Sequence, residues 1–374
     1  MAPTLAIAAR HTASPTPGHT MTPMPHPTRP SPFSPTDLQV PLIQAPMAGG
    51  ISTPSLAVAV GQAGGLGFLA AGYLSPDAVA AQIAEVRKSV DLFGVNLFVP
   101  QPVAEPDRIP AYRRELEETE AERYAVALPD PDLADTDHWQ AKLTLLLGDP
   151  VPVVSFTFGL PDAETVAHFK DQGTYTVGTV TTVDEAHQAV NVGIDALCVQ
   201  GPEAGGHRGT FNPAALPSTT PLLTLLSEIR AATAPIPLIA AGALATPNDV
   251  ARARAAGAAL TQHGTAFLRA TEAGTHPLHR DALTDPKFAD TVLTRAFSGR
   301  WVRTLQNRFT EAHPQAPAAY PALNQLTRPL RAAAANQADP HGMGMYAGTN
   351  HHLAQAAPAA EILATLAEGV GALS

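Results

Sequence analysis

The chain of 374 residues has one cysteine, Cys198. That excludes an internal disulfide and fits a reducing compartment. It has no apolar run of ~18 residues, the length that would suggest a membrane-spanning helix. Positive charge is also short: 23 Lys and Arg against 33 Asp and Glu leave a formal net charge of −10. Nucleic acid and anionic membrane surfaces are therefore poor main partners. What is present is 45% hydrophobic, enough at this length for one large core or two ordinary ones. The composition is that of a soluble intracellular protein of enzyme size.

Residues 1–36 differ in kind. "HTASPTPGHTMTPMPHPTRPSPFSPT" is nearly all Pro, Ser, Thr, His and Met, too poor in apolar surface to offset the entropy of ordering. The apolar run "LAIAA" is too short for a secretory h-region, and no basic segment precedes it. A disordered Pro-rich tail over 1–36 is expected.

From Leu42 onward, short apolar runs of strand length recur. They are "LIQAPM" (42–47), "GLGFLAAG" (65–72), "FGVNLFV" (93–99), "VPVVSFTFG" (151–159), "TYTVGTV" (174–180), "ALCVQG" (196–201), "PLIAAGAL" (237–244) and "LTQHGTAFL" (260–268). Amphipathic stretches separate most of them. Ser75-Pro76 reads as an N-cap followed by the first helical residue. Gly173, Gly193 and Gly257 stand where C-cap glycines belong. Eight apolar strands alternating with helices predict parallel βα units, and eight units predict an α/β fold, a (β/α)8 TIM barrel. The barrel is expected over 37–99 and 150–268.

Two segments exceed what a barrel needs. Residues 100–149 interrupt it after the third strand, and 269–374 follow the eighth. A structureless loop of that length would be suspect, so the two are expected to fold together as a smaller substrate or lid domain over the barrel mouth. The acidic run "RRELEETEAER" within the first reads as a solvated helix face with intrahelical ion pairs.

Function in such barrels lies at the C-terminal ends of the strands. Here those ends read "APMAGGIS", "GVNLF", "QGPEAGGHRG", "AAGALA" and "QHGTAFL". The last two sit where a phosphate is commonly held by glycine N–H groups. Asn96 and Gln200 are uncharged amides suited to the polar edge of a ring such as a flavin's. His207 stands among four glycines, which let backbone approach a ligand closely; alone, such a loop is as readily a flexible turn as a site.

In this order, these motifs resemble the class I nitronate monooxygenases (2-nitropropane dioxygenase-like), with "SFTFG", "FSGRWVRTLQNRF" and "YAGTNHHLAQ" extending the likeness over roughly 38–374. The resemblance implies an FMN-containing TIM barrel that oxidises alkyl nitronates, propionate 3-nitronate in particular, with O2 and no external reductant. The products would be a carbonyl compound with nitrite or nitrate. It also implies a cytoplasmic detoxification role with small-molecule partners, and is compatible with a homodimer. By motif, FMN would contact Pro46, Met47, Asn96, Gln200 and Gly205, and its phosphate Gly242, Gly264 and Thr265, with Gln262 and His263 beside them. His207 matches the family's active-site histidine. The chain departs from the family in His263, usually an apolar residue, and in "YAGTN", usually Trp-Ala-Gly-Gln. The alternative is an FMN-dependent enoyl-ACP reductase using NAD(P)H, whose Glu-Ala-Gly-Gly-His loop is very similar.

Other residues carry plainer readings. His168 and His187 are expected on outer helix surfaces, and Cys198 as a small buried hydrophobe within a strand. The pair His351-His352 lacks a companion ligand motif, so no metal is expected. Arg300, Arg303 and Arg308 read as surface partners for the many acids, or as contacts for an anionic substrate. Trp301, Tyr320 and Tyr346 serve equally as pocket walls or as core.

Overall fold

Parallel strands require crossover connections long enough for a helix, and the spacing of the apolar runs supplies them. The computed structural model describes Met1 and residues 33–371. Its strands, in chain order, are β1 (Leu42–Gln44), β2 (Phe68–Ala70), β3 (Gly94–Phe98), β4 (Val153–Thr157), β5 (Tyr175–Val180), β6 (Ala196–Gln200), β7 (Gly206–His207), β8 (Leu238–Ala241), β9 (Leu260–His263), β10 (Thr291–Thr294) and β11 (Val302–Leu305). Eight of them form one parallel sheet in the order β1-β9-β8-β6-β5-β4-β3-β2. Leu66 closes the ring: its N–H donates to the Leu42 carbonyl, and Gln44 N–H donates to the Leu66 carbonyl, both at 3.0 Å. Each of the eight apolar runs carries one barrel strand, and the fold is a (β/α)8 barrel.

Alternation along the strands sorts the side chains. Ile43, Phe68, Val153, Val177, Cys198 and Ile239 point inward and fill the lower barrel with Leu38. Leu69, Val95, Val154, Phe156, Leu197 and Val199 point outward under the helices. The helix signals hold. Ser75 accepts from Ala78 N–H at the start of Pro76–Arg87. Gly173, Gly193 and Gly257 adopt φ of +80°, +87° and +100° just past three helix ends.

The long segments divide their allegiance. Helix Trp139–Gly148 packs Leu143 and Leu146 into the barrel's outer core. The final helix, Ala359–Gly371, packs Ile362, Leu363 and Leu366 against Leu56 and Val250, filling the place of the barrel's eighth helix. The pieces between form a cap with its own core, in which Tyr112, Leu116 and Tyr124 meet Phe297, Phe309 and Leu326. β10 and β11 pair antiparallel in this cap, and β11 also pairs with β7. A loop of the barrel thus supplies an edge strand to the cap's sheet.

The acidic run is not solvated throughout, which corrects the sequence reading. Glu120 is 1% exposed and its carboxylate pairs with Arg308 at 2.5 Å. A π-helical turn over Glu117–Ala121 rotates it off the solvent face and toward the cap core. Most of the expected tail, residues 2–32, lies outside the described residues. Its last residues are ordered, which corrects the expected boundary: Phe33 packs edge-on against Tyr175 with ring centroids 5.3 Å apart, and Ser34 caps a 3-10 turn over Pro35–Asp37. No helix among the described residues is long and apolar enough to cross a membrane.

Candidate active site

A cavity of about 1330 Å³, open solvent at its mouth included, lies at the C-terminal end of the barrel. Pro46, Met47, Asn96, Gln200, Gly205, His207, Gly242, Gln262, His263, Gly264 and Thr265 all line it. They come from five different strand ends. The parity that fills the lower barrel with apolar side chains places Asn96, Ser155, Thr157, Thr179, Gln200 and Gln262 in a polar upper layer, beneath the cavity.

His207 is not on a free loop. Its backbone is β7, held opposite Val302 of β11, and the next residue, Arg208, donates N–H to the Trp301 carbonyl at 2.8 Å. The Gln200 amide spans the loop from within, donating from Nε2 to the His207 carbonyl and accepting Gly209 N–H at Oε1, both at 2.9 Å. The imidazole is walled by Phe158 and Tyr346, with ring centroids at 5.5 and 5.6 Å, and by Tyr320 and Phe98 farther out. Its Nε2 lies 2.9 Å from Ser298 Oγ. Burial, then the Arg300 and Arg331 guanidinium groups, push His207 down to about 3. At neutral pH the ring carries no charge.

The donor set fits FMN. Asn96 Oδ1 accepts from Ser155 Oγ at 2.8 Å and Thr157 Oγ1 at 3.0 Å, which leaves its NH2 as the uncommitted end. Gln262 commits only its Nε2, weakly, to Cys198 Sγ at 3.4 Å, so its Oε1 remains an acceptor. A ring edge that alternates acceptors and donors matches this pair. At the far end, the N–H groups of Gly242, Gly264 and Thr265 donate to no other group among the described residues. They suit phosphate oxygens. Gly242 has φ +139°, a conformation that favours glycine and brings the backbone itself to the wall. Among the described residues no Lys or Arg side chain lines the cavity, so a phosphate there would be held by backbone dipoles.

The structure corrects or sharpens several expectations. His263 reaches the cavity only through its backbone. Its ring faces outward on β9, with Nδ1 at 2.9 Å from the Leu244 carbonyl and Nε2 at 2.8 Å from Thr261 Oγ1; burial pushes it down to about 4. Arg300 and Arg303 are not surface partners of acids. Arg300 is 1% exposed, donates to the Thr210 carbonyl at 2.7 Å and lies 4.0 Å over the Phe158 ring. Arg303 bonds the Pro202 carbonyl and Thr291 Oγ1. Trp301 is no wall: it bonds the Ala215 carbonyl beneath Arg295. Sequence reasoning missed Ser155, Thr157, Thr179, Tyr73 and Asn350, which line the cavity, and Ser298. The first three share strand-end parity with Asn96 and Gln200, a signal that could have found them.

Comparison with known proteins gives the family. The family model described as nitronate monooxygenase matches residues 34–369. A probable nitronate monooxygenase of Bacillus subtilis (strain 168) is 37% identical over 317 residues, 83% of this chain and 90% of that protein. One of Staphylococcus aureus (strain Newman) is 35% identical over 343 residues, 88% and 94% of the two chains. Among solved structures, nitroalkane oxidase from Streptomyces ansochromogenes superposes with a TM-score of 0.86 at 47% identity, covering 91% of this chain and 99% of its own. FabK from Thermotoga maritima is more distant, with a TM-score of 0.68 at 25% identity over 89% and 93%.

Proposed function

The chain belongs to the nitronate monooxygenase family, and from that premise we propose that it oxidises alkyl nitronates, propionate 3-nitronate among them, with O2, a bound FMN and no external reductant. The observation that supports this best is the meeting of a neutral, aromatic-walled His207 with an uncharged cradle of amides and backbone N–H groups at one cavity. Asn96 and Gln262 hold the ring edge, and the backbone of Gly242, Gly264 and Thr265 holds the phosphate. FMN bound there supplies the electron acceptor.

The cap is the substrate side. Arg300 and Arg331 act on His207 through their charge and make the chamber favourable to an anion. A nitronate is already deprotonated and needs no base. The likeness to a nitroalkane oxidase extends the reading to neutral nitroalkanes, whose α-proton must leave first. His207 is the group placed to take it. The same reading makes this a cytoplasmic detoxifying enzyme yielding a carbonyl product with nitrite or nitrate.

The test is an anaerobic absorbance spectrum of the FMN-loaded protein, with propionate 3-nitronate in one sample and NADPH in another. Loss of oxidised-flavin absorbance with the nitronate and little change with NADPH is expected. Bleaching by NADPH with indifference to the nitronate would make the enzyme a reductase instead.

A further inference from the structure

Ser298 is fully buried and its hydroxyl has three neighbours: His207 Nε2 at 2.9 Å, the Arg300 carbonyl oxygen at 3.2 Å and the Arg300 backbone N–H at 3.3 Å. A serine hydroxyl has one proton to give and two lone pairs to receive with. The Arg300 N–H can only donate, and the Arg300 carbonyl can only accept. Once the hydroxyl gives its proton to that carbonyl and takes the N–H, it has one lone pair left, and His207 Nε2 must carry a proton to use it. The other tautomer would place a lone pair at Nε2, and the hydroxyl would have to abandon the carbonyl. A single assignment satisfies all three contacts.

From this we infer that Ser298 is a positioning residue that holds His207 as its Nε2–H tautomer and thereby presents the Nδ1 lone pair to the cavity. Nδ1 makes no hydrogen bond within the described residues, and His207 lines the cavity. The aromatic walls and the β7–β11 pairing fix the ring's plane and depth, so only the tautomer remained to be set.

The consequence concerns the substrate. A lone pair aimed into the cavity repels nitronate oxygens but accepts a proton from carbon. The inference therefore rests on the proposed function and narrows this device to neutral nitroalkanes. The Cα–H bond of the nitroalkane breaks and an N–H bond forms at Nδ1. The C–H electron pair moves into the nitro group as nitronate. One neutral pair becomes an imidazolium–nitronate pair, and no oxidant is consumed in this step. Ser298 Oγ keeps its acceptor role toward Nε2–H throughout, so no proton on the serine has to move.

Two measurements decide it. In FMN-loaded protein labelled with 15N-histidine, His207 should show a protonated, pyrrole-type Nε2 and an unprotonated, pyridine-type Nδ1; the reverse assignment overturns the inference without any variant. Ser298→Ala should lower kcat/KM on nitroethane by on the order of 10²-fold, at least tenfold more than on preformed ethyl nitronate, and Ser298→Thr, which keeps a hydroxyl, should recover most of the loss. Equal losses on both substrates would mean Ser298 merely supports the fold and would overturn the positioning role. If the wild type turned over neither substrate, the proposed function would fail, while the nitrogen spectrum would still judge the tautomer.

Discussion

The Gln200 side chain grips both ends of the segment that carries His207, donating to the His207 carbonyl and accepting the Gly209 N–H, each at 2.9 Å. A strand-end amide that appeared suited to a cofactor edge is thus largely occupied with its own loop. Gln200→Glu replaces the donor with a second acceptor aimed at the His207 carbonyl. Leaving a buried carbonyl unpaired costs about 1–3 kcal/mol, and the loop holding His207 loosens. We expect a lower Tm and a drop in kcat larger than the drop in flavin content. Loss of flavin with kcat per bound flavin retained would show that Gln200 serves the cofactor first.

Three histidines, two buried and one half-buried at the cavity wall, make stability depend on pH. His207, His263 and His279 are pushed below the ordinary 6.5, chiefly by burial, to about 3, about 4 and about 4. In the unfolded chain each regains a proton near pH 6.5, so between that pH and about 4 the unfolded state binds more protons. Stability contributed by the neutral rings is complete above pH 6.5 and is lost as the pH falls toward 4, by about 1.4 kcal/mol per pH unit for each histidine. Urea unfolding at pH 7 and pH 5 should show this fall, and His263→Gln should flatten it. A pH-independent midpoint would contradict the neutral assignment.

The same depression has a kinetic signature. The pH profile of kcat/KM reports the free enzyme, and with a preformed nitronate it should show no histidine limb between pH 5 and 8. A limb near 6.5 would mean that His207 is not held neutral in the holoenzyme.

The barrel was legible because its signal is local: eight apolar runs of strand length, with Ser75-Pro76 and the glycines at 173, 193 and 257 punctuating the helices. The cavity residues were legible because they sit at strand ends, where chain order alone fixes the neighbourhood. The outward ring of His263 follows from parity as well: with Gln262 facing inward, the next residue on a strand faces outward. Ser298 and Arg300 were beyond reach. They lie about 90 residues beyond His207 and meet it only because β7 joins the cap's sheet, a long-range pairing without a local pattern. Glu120 was hidden by a π-turn inside a run that otherwise reads as a solvated helix.

Tyr73 is a cavity wall held from outside by a buried ion pair. Lys142 is 1% exposed; its Nζ reaches the Ala71 carbonyl and Asp137 Oδ2, both at 2.8 Å, and Asp137 Oδ1 accepts Tyr73 N–H at 2.9 Å. Lys142→Met strands the carboxylate and should cost roughly 3 kcal/mol, the low end for a broken buried pair, since Asp137 keeps some solvent contact. Adding Asp137→Asn should restore part of the stability by removing the stranded charge. Tm values of the single and double variants check this, and a single variant as stable as wild type would remove the ion pair from the account.

Gly205 and Gly206 are adjacent, yet substitution should act on them through different physics. A Cβ on Gly205 would lie 2.4 Å from both the Ala347 carbonyl carbon and the Gly348 nitrogen, a backbone overlap that only displacement can relieve. The displaced segment donates Gly348 N–H to Thr265 Oγ1 at 3.0 Å and reaches the Ala243 carbonyl through Asn350 Nδ2 at 2.7 Å. It therefore ties together the loops proposed to hold the phosphate. A Cβ on Gly206 meets nothing within 4 Å, and the difficulty there is its φ of +79°, a strain of about 1 kcal/mol for alanine. Gly205→Ala should leave the barrel folded but sharply lower the flavin retained through dialysis, whereas Gly206→Ala should lower Tm slightly and keep its flavin. Equal flavin retention in the two variants would show that the 346–350 segment plays no part in closing the cofactor site.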